Sequence, residues 1–335
     1  MTRMCRMEPE KQPGGGRQYR TYGRNGRQSF MVGESAALRE VRELVDAVAG
    51  ENVSVLITGE SGVGKELVAR EIHARSPRIE HSFMALDCCT LQENLFESEL
   101  FGHEKGAFTG ADGLKQGLIE GAKNGTLFLD EIGEIGPAIQ AKLLRVLETG
   151  VFRRLGGTRD FAAKARLLSA TNCDLLDMSK QGRFRSDLYY RLATFTIKVP
   201  PLRERRSDIV LLATHFLQHH DLSRGIHKKL SKKAIDMLVA HDWPGNVREL
   251  RNVMERAIIL SRGEKIIQPR HLGFDRAAQK ARRTAVRLSF DHEPTLAEIK
   301  QDYIHQLIEK YNGNRLKIAS ILGVSERSLY RLLKK

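Results

Sequence analysis

The chain is poor in aromatic residues, at 6%, and has a single tryptophan among its 335 residues. It also lacks a long apolar run. A membrane-spanning helix needs about 20 consecutive apolar residues, and none is present. The opening stretch, MTRMCRMEPEKQPGGGRQYR, has no apolar segment of the kind a signal peptide requires, so a cytoplasmic location is expected. Cysteine is scarce too: Cys5, Cys88, Cys89 and Cys173. No pair has the CxxC spacing of a zinc knuckle, and no His/Cys cluster completes one, so they read as reduced thiols. With 41% hydrophobic residues the chain can bury a real core, which excludes wholesale disorder. Its length fits two domains, or three small ones.

Positive charge is in excess. Lys and Arg number 55 against 41 Asp and Glu, a formal +14. Such an excess calls for a polyanionic partner, either nucleic acid or an anionic membrane surface. The charge is uneven along the chain: +5 falls in residues 1–30 and +6 in residues 275–335, leaving +3 for everything between. The basic ends, not the middle, carry the signal. No amphipathic basic helix accompanies them, so the membrane reading drops away.

Residues 1–29 contain GGG with many Arg and Gln and almost nothing to bury, and are expected to be a disordered basic leader. From Phe30 onward Ala37, Leu38, Val41, Leu44, Val45 and Val48 recur at helical spacing. Four short apolar runs follow: VSVLITG (53–59), SFMALD (82–87), TLFLD (126–130) and ARLLSATN (165–172). Each ends in a polar or Gly-rich loop, with helical patterns between. Buried strands alternating with helices predict an α/β fold, a parallel sheet covered on both faces. The strands are expected to stop after Pro200-Pro201, leaving 202–272 as a helical subdomain. An Arg-rich linker (273–294) and a final helical segment (295–335) complete the expected order.

The first strand runs into Gly59-Glu60-Ser61-Gly62-Val63-Gly64-Lys65-Glu66 and then an amphipathic helix, ELVAREIHAR. This is G-x-x-x-x-G-K in its proper strand–loop–helix context. Glycines let backbone N–H groups curl around phosphates, the helix N-terminus adds its positive end, and Lys65 supplies a point charge to the β- and γ-phosphates. Glu66 replaces the usual Ser or Thr, so the hydroxyl ligand to Mg is missing. Magnesium would then rest on Asp130, water and the phosphates themselves. Asp130 and Glu131 end the run TLFLD-E at the edge where α/β sheets bind ligands. Asp130 would orient Mg, and Glu131 would polarise the attacking water. Thr171 and Asn172 end another strand and could bond the γ-phosphate or the water.

Residues 97–111 read ESELFGHEKGAFTGA. Glycines on both sides of Phe-Thr permit a mobile loop with an exposed aromatic tip, although spacing alone favours Phe108 as a core residue. The hexapeptide Gly106-Ala107-Phe108-Thr109-Gly110-Ala111 resembles the signature loop of bacterial sigma-54-dependent transcriptional activators, which are AAA+ proteins. The resemblance runs over about 30–272 and again over 295–335, with several motifs in the family's order. GESGVGKE (59–66) is similar to the family's phosphate loop, Glu66 included. LLRVLETGVFRRLGG (143–157) is similar to its second surface loop region. GRFRSDLYYRL (182–192), VPPLRERRSDI (199–209) and WPGNVREL (243–250) resemble the segments carrying inter-subunit arginines, the bridge to the lid and the lid's sensor arginine.

The resemblance implies an AAA+ P-loop NTPase with a parallel sheet and a helical lid, binding ATP and hydrolysing it. It implies that Arg185 and Arg191 are fingers reaching a neighbouring subunit's γ-phosphate, and that Arg248 senses nucleotide in its own subunit. A homo-oligomeric ring, commonly a hexamer, follows. Phe108 and Thr109 would engage sigma-54 RNA polymerase, whose closed complexes the ATP cycle would remodel. One position departs from the family: Asp87 precedes Cys88 where Asn is usual. A carboxylate cannot donate as an amide does, and beside Glu131 it would repel or force one group to be protonated.

In the last segment a helical pattern from Thr295 ends at Asn312-Gly313-Asn314. A short helix, Gly323-Val324 and SERSLYRLLKK follow. This reads as helix, tight turn, helix: a solvated hairpin or a DNA reader. Ser325 would cap the last helix. Leu329, Leu332 and Leu333 would face inward, and Glu326, Arg327, Ser328, Tyr330 and Arg331 outward. GNRLKIASILGVSERSLYRLLKK (313–335) resembles the family's Fis-type helix-turn-helix, which implies an upstream, two-fold DNA site. Arg327 would then read guanine edges, while Arg331, Lys334 and Lys335 hold phosphates. No receiver or ligand-sensing domain is expected before Phe30, because thirty polar residues cannot fold into one. Two other classes compete: a DNA-binding repressor with an inert nucleotide domain, and an AAA+ remodeller of another kind.

Overall fold

The computed structural model describes residues 31–89, 92–219, 228–274, 290, 292–311, 314–325 and 328–329. The basic leader, most of the linker, and Glu326, Arg327, Tyr330 and Arg331 lie outside the described residues. The chain divides into a larger unit ending at Gln268 and a smaller one beginning at Pro269.

In chain order the larger unit contains α1 (Ala36–Ala49), β1 (Val55–Thr58), α2 (Lys65–Arg75), β2 (Phe83–Asp87), α3 (Glu93–Phe101), β3 (Gly102–His103), β4 (Lys115–Gln116), α4 (Leu118–Gly121) and β5 (Thr126–Asp130). Then come α5 (Pro137–Thr149), β6 (Val151–Phe152), β7 (Phe161–Ala162), β8 (Arg166–Thr171), α6 (Leu175–Lys180), α7 (Ser186–Leu192) and β9 (Phe195–Lys198). The lid follows, with α8 (Ser207–His219), β10 (Lys229–Leu230), α9 (Lys232–Ala240), α10 (Asn246–Leu260) and β11 (Ile266–Ile267).

Five strands form one parallel sheet in the order β2-β5-β8-β1-β9. Both faces are buried, which is why the strands read as continuous apolar runs. In β5, Phe128 packs with the α1/α2 side, among Leu38, Val45, Val68 and Ile72. Its neighbours Leu127 and Leu129 pack on the other side with Phe96, Ile139, Leu143 and Leu188. The alternation fixes the register, since a one-residue slip would exchange the two faces. It thereby delivers Asp87 opposite Asp130 at the strands' C-terminal ends.

Two expectations need correction. The sheet has a fifth strand, β9, that the four apolar runs do not include; only Ile197 in it is buried, so it carries no apolar run. The lid is not helical throughout, because Lys229–Leu230 pairs in parallel with Ile266–Ile267. Two-residue strands are too short for a period to show in the sequence. The lid's core holds the lone tryptophan: Trp243 is fully buried and its Nε1–H donates to Leu238 O at 2.9 Å.

In the smaller unit, the helix Leu296–Lys310 opens with a capping box in which Thr295 and Glu298 satisfy each other's backbone N–H. The helix Arg315–Leu322 is capped by Asn314 and ends at Gly323 in the left-handed region. Ile304, Leu307, Ile318, Ala319 and Leu329 form its core. Ser325 Oγ accepts from Ser328 N at 3.2 Å and Ser325 O from Leu329 N at 2.9 Å, the geometry of a helix start.

Candidate nucleotide site and surface loop

The turn from β1 to α2 is built by glycines in conformations closed to other residues. Gly64 caps α2 at φ +105°, and Gly62 lies at φ +78°. A Cβ on Gly62 would stand 2.5 Å from Gly245 O, so the lid packs directly on the loop backbone. Lys65 opens α2 and is only 6% exposed. A buried ammonium must be paired, and its Nζ donates to Gly59 O and to Glu131 Oε1, each at 3.1 Å.

Glu131 follows β5 in the left-handed region, at φ +53°. That backbone turn swings its carboxylate across the strand ends, where Oε2 accepts from Asn172 N at 3.0 Å. One carboxylate therefore links the phosphate loop to the end of β8. Asp130 accepts from Glu131 N at 3.0 Å. Its burial, then the Glu131 charge, push its carboxyl above the usual carboxylate range. Such a group gains from a cation or a donor placed near it.

The remaining expected site residues are placed as follows. Thr171 is fully buried and its Oγ1 accepts from Cys173 N at 3.0 Å, whereas Asn172 is exposed. Asp87 Oδ1 accepts from Cys89 N at 2.9 Å, and the Asp87 charge helps raise Asp130. Glu66 pairs with Arg70 along the solvent face of α2, with Oε1 at 2.6 Å from Nη2. Glu60 turns toward the lid, where Arg203 Nη2 donates to its Oε1 at 2.6 Å and Arg203 Nη1 to its Oε2 at 2.8 Å. These bonds hold its carboxyl down at about 2. Arg248 Nη1 donates to Ser61 Oγ at 2.9 Å, which puts it at the loop.

Arg185 precedes α7 and Arg191 lies in its last turn, and both are exposed. Arg185 pairs with Asp187, Nη2 to Oδ2 at 2.7 Å, and its backbone N donates to the buried Gln140 Oε1 at 2.9 Å. Gln140 thus fixes the start of α7 while the guanidinium points to solvent.

The surface loop Gly106–Ala111 folds on itself. Gly106 N donates to Ala111 O at 2.9 Å and Ala111 N to Phe108 O at 3.0 Å. Phe108 is 41% exposed and meets His103 edge-on, at 5.0 Å between ring centroids. Beneath it lies a cluster that pattern reading does not reveal. Arg154, 8% exposed, donates to Glu104 at 2.9 Å and to both oxygens of Glu120 at 2.8 and 2.9 Å, and stacks over Phe161 at 4.3 Å. Leu155 N donates to Gly102 O and Glu104 N to Leu155 O, so the second loop is stitched to the base of the first. Arg154 lies inside the quoted RRLGG stretch, but only tertiary contact separates it from Arg153, which pairs with Asp160 at the surface.

Among the described DNA-reader residues, Ser325 and Ser328 are exposed and Leu329 is buried. No described helix is long and apolar enough to cross a membrane. No described cluster of three or more His, Cys, Asp or Glu is placed to hold a metal.

A parallel β2-β5-β8-β1-β9 sheet, a glycine phosphate loop after β1, paired acids at the C-terminal end of β5 and a helical lid define an AAA+ P-loop protein. The sigma-54 interaction domain matches residues 31–198, the AAA+ ATPase lid domain 203–288 and the Fis family of bacterial regulatory proteins 295–335. The chain belongs to the sigma-54-dependent transcriptional regulators. It is 45% identical over 302 residues to the nitrogen fixation protein AnfA of Azotobacter vinelandii, covering 90% of this chain and 56% of that one. It is 46% identical over 302 residues to the transcriptional regulatory protein ZraR of Escherichia coli, covering 89% and 67%. The chain thus spans little more than half of AnfA. Among solved structures, NtrX of Brucella abortus in complex with ATP superposes with a TM-score of 0.68 at 35% identity, covering 92% of this chain and 69% of that one. A substrate-bound Hsp104 shares the fold alone, with a TM-score of 0.51 at 18% identity.

Proposed function

We propose that this chain hydrolyses ATP in a ring of its own copies and uses that cycle to remodel sigma-54 RNA polymerase, from a two-fold DNA site upstream. The observation that carries this reading is the Lys65–Glu131–Asn172 link at the sheet's C-terminal edge. A phosphate chain lying on the loop would draw Lys65 away from Glu131 Oε1. The freed carboxylate can then accept a proton from a water aligned on the γ-phosphate. Asn172, its backbone already on Glu131, would hold that water with its side chain. Arg185 and Arg191 point to solvent, as they must to serve a neighbour's site, where an arginine finger is worth about 10³–10⁵ in rate.

A divalent cation fits this site modestly: Asp130 gains from one, and Glu66, turned to Arg70, does not supply a ligand. Magnesium bound with ATP would neutralise charge on the phosphate oxygens. Phe108, partly exposed above the Arg154 cluster, is the contact offered to the sigma factor.

The test is open-complex formation in vitro with sigma-54 holoenzyme, ATP and a promoter carrying the protein's own DNA site. The intact protein should open it, and Phe108→Ala should abolish opening while keeping most ATPase activity. No opening by the intact protein would count against the remodelling reading, and no ATP hydrolysis against the whole of it.

A further inference from the structure

We propose that Asn246 is a positioning residue that ties the phosphate loop to the helical lid, so that nucleotide affinity depends on it and turnover at saturation does not. This rests on the nucleotide reading above and goes beyond it.

Asn246 is the first residue of α10 and is completely buried, with its backbone in the left-handed region at φ +52°. A buried amide has to be satisfied at both ends, and here it is. Its Oδ1 accepts from Leu202 N at 2.8 Å, while its Nδ2 donates to Glu60 Oε2 and to Ser61 O, each at 3.1 Å. The orientation is not interchangeable, because Leu202 N can only donate and Ser61 O can only accept. One side chain thus joins the hinge before α8, the lid helix α10 and two consecutive residues of the phosphate loop.

The surrounding contacts run the same way. Arg203 grips Glu60 through both nitrogens, and Arg205, 4% exposed, donates from Nη2 to Val63 O at 2.9 Å. Val247 N and Arg248 N donate to Gly62 O at 3.0 and 3.3 Å. Each loop residue from Glu60 to Val63 is therefore held by the hinge or by α10. The reacting side is held separately, by Lys65 on Gly59 O and Glu131. A loop that must present its amides to phosphate binds more tightly when its shape is fixed beforehand. Loosening it on the lid side costs affinity and leaves Asp130, Glu131 and Asn172 where they are.

The donors and acceptors dictate the variants. Asn246→Gly keeps the left-handed backbone and removes all three bonds. Asn246→Asp keeps the acceptor for Leu202 N but faces Glu60 and Ser61 O with a carboxylate. In the double variant Glu60→Gln/Asn246→Asp the amide and the carboxylate change places, and the bond between them can form again.

The experiment measures Kd for a slowly hydrolysed ATP analogue and steady-state ATP hydrolysis, on the full chain, with folding followed by circular dichroism. Asn246→Gly should raise Kd and KM by at least about tenfold and leave kcat within about threefold, the scale of losing a few net hydrogen bonds. Asn246→Asp should be worse, and the double variant should bind more tightly than it. Should Asn246→Asp not fold, Arg203→Gln and Glu60→Gln carry the test from half-exposed side chains, each raising Kd about threefold or more. The proposal is overturned if Asn246→Gly binds within twofold of the parent, if kcat falls while KM holds, or if the exchange gives no recovery. A parent chain that binds no analogue removes the nucleotide reading itself, and this inference with it.

Discussion

Arg154→Ala is the substitution whose consequence the structure fixes most fully. The guanidinium is 8% exposed and makes four charged hydrogen bonds, three to Glu120 and one to Glu104. The fork onto Glu120, itself 23% exposed, is the stronger half, worth about 1.5–3 kcal/mol. Glu104 is 35% exposed, so solvent screens its share to roughly 0.5–1 kcal/mol. The stack on Phe161 adds about 0.5–1 kcal/mol. Together the loss is about 3 kcal/mol, and it falls on a local element: two short ribbons and the loop between them. A loss of that size raises the opening equilibrium about a hundredfold. Hydrogen exchange should show it at the amides of Glu104 and Leu155, which bond across the two loops. Nucleotide binding should hold, since Arg154 touches no residue of the phosphate loop, while sigma-factor engagement falls. Arg154→Lys should recover only part, because a point charge cannot reproduce the fork. Exchange changing by less than about threefold at both amides would refute the reasoning.

Other outcomes follow from the same geometry. Glu131→Gln should hydrolyse ATP at least about a hundredfold more slowly yet bind it at least as well, because Lys65 loses its ionised partner; equal turnover in a single-turnover assay would exclude Glu131 as the base. Glu60→Gln should be less stable than the parent at neutral pH. The sign is set by a folded value of about 2 against an ordinary 4.5: the advantage is complete above 4.5 and vanishes as pH falls through 2, so the two unfolding curves should converge across that window. Asp87→Asn removes one of the charges that raise Asp130, so ATPase rates with and without the sigma factor should change relative to each other; identical rates in both conditions would show that position 87 does not govern coupling.

What could be read from the chain, and what could not, divides by distance along it. The phosphate loop, the acids at the C-terminal end of β5 and the capping of the last helices are local devices, in which the residues that act together are neighbours. Their backbone demands show in composition: glycine where φ is positive, Ser, Thr or Asn where a helix begins. The strand β9 is half-hidden because it forms the sheet's edge, with one face against the core and Thr196 and Lys198 exposed, so no apolar run marks it. Thr171 and Asn172 look equivalent in sequence, yet Thr171 ends a strand that is buried along its whole length, while Asn172 lies just past it and is exposed.

The hidden part of the site is polar and distant. Asn246 bonds Glu60 across 186 positions, and Arg154 bonds Glu104 across 50. No period announces such pairs, since a buried polar residue is chosen by partners that only the fold assembles. The one local trace is WPGN, where a turn before a helix accounts for Pro and Gly, and the left-handed backbone for Asn, but not for its complete burial. An asparagine in the left-handed region that no solvent reaches has to be explained by what its amide bonds, and here those bonds run to the phosphate loop. The lid therefore meets the phosphate loop in two ways. Arg248 bonds the Ser61 hydroxyl, and Asn246, on the proposal above, shapes the loop before any ligand arrives.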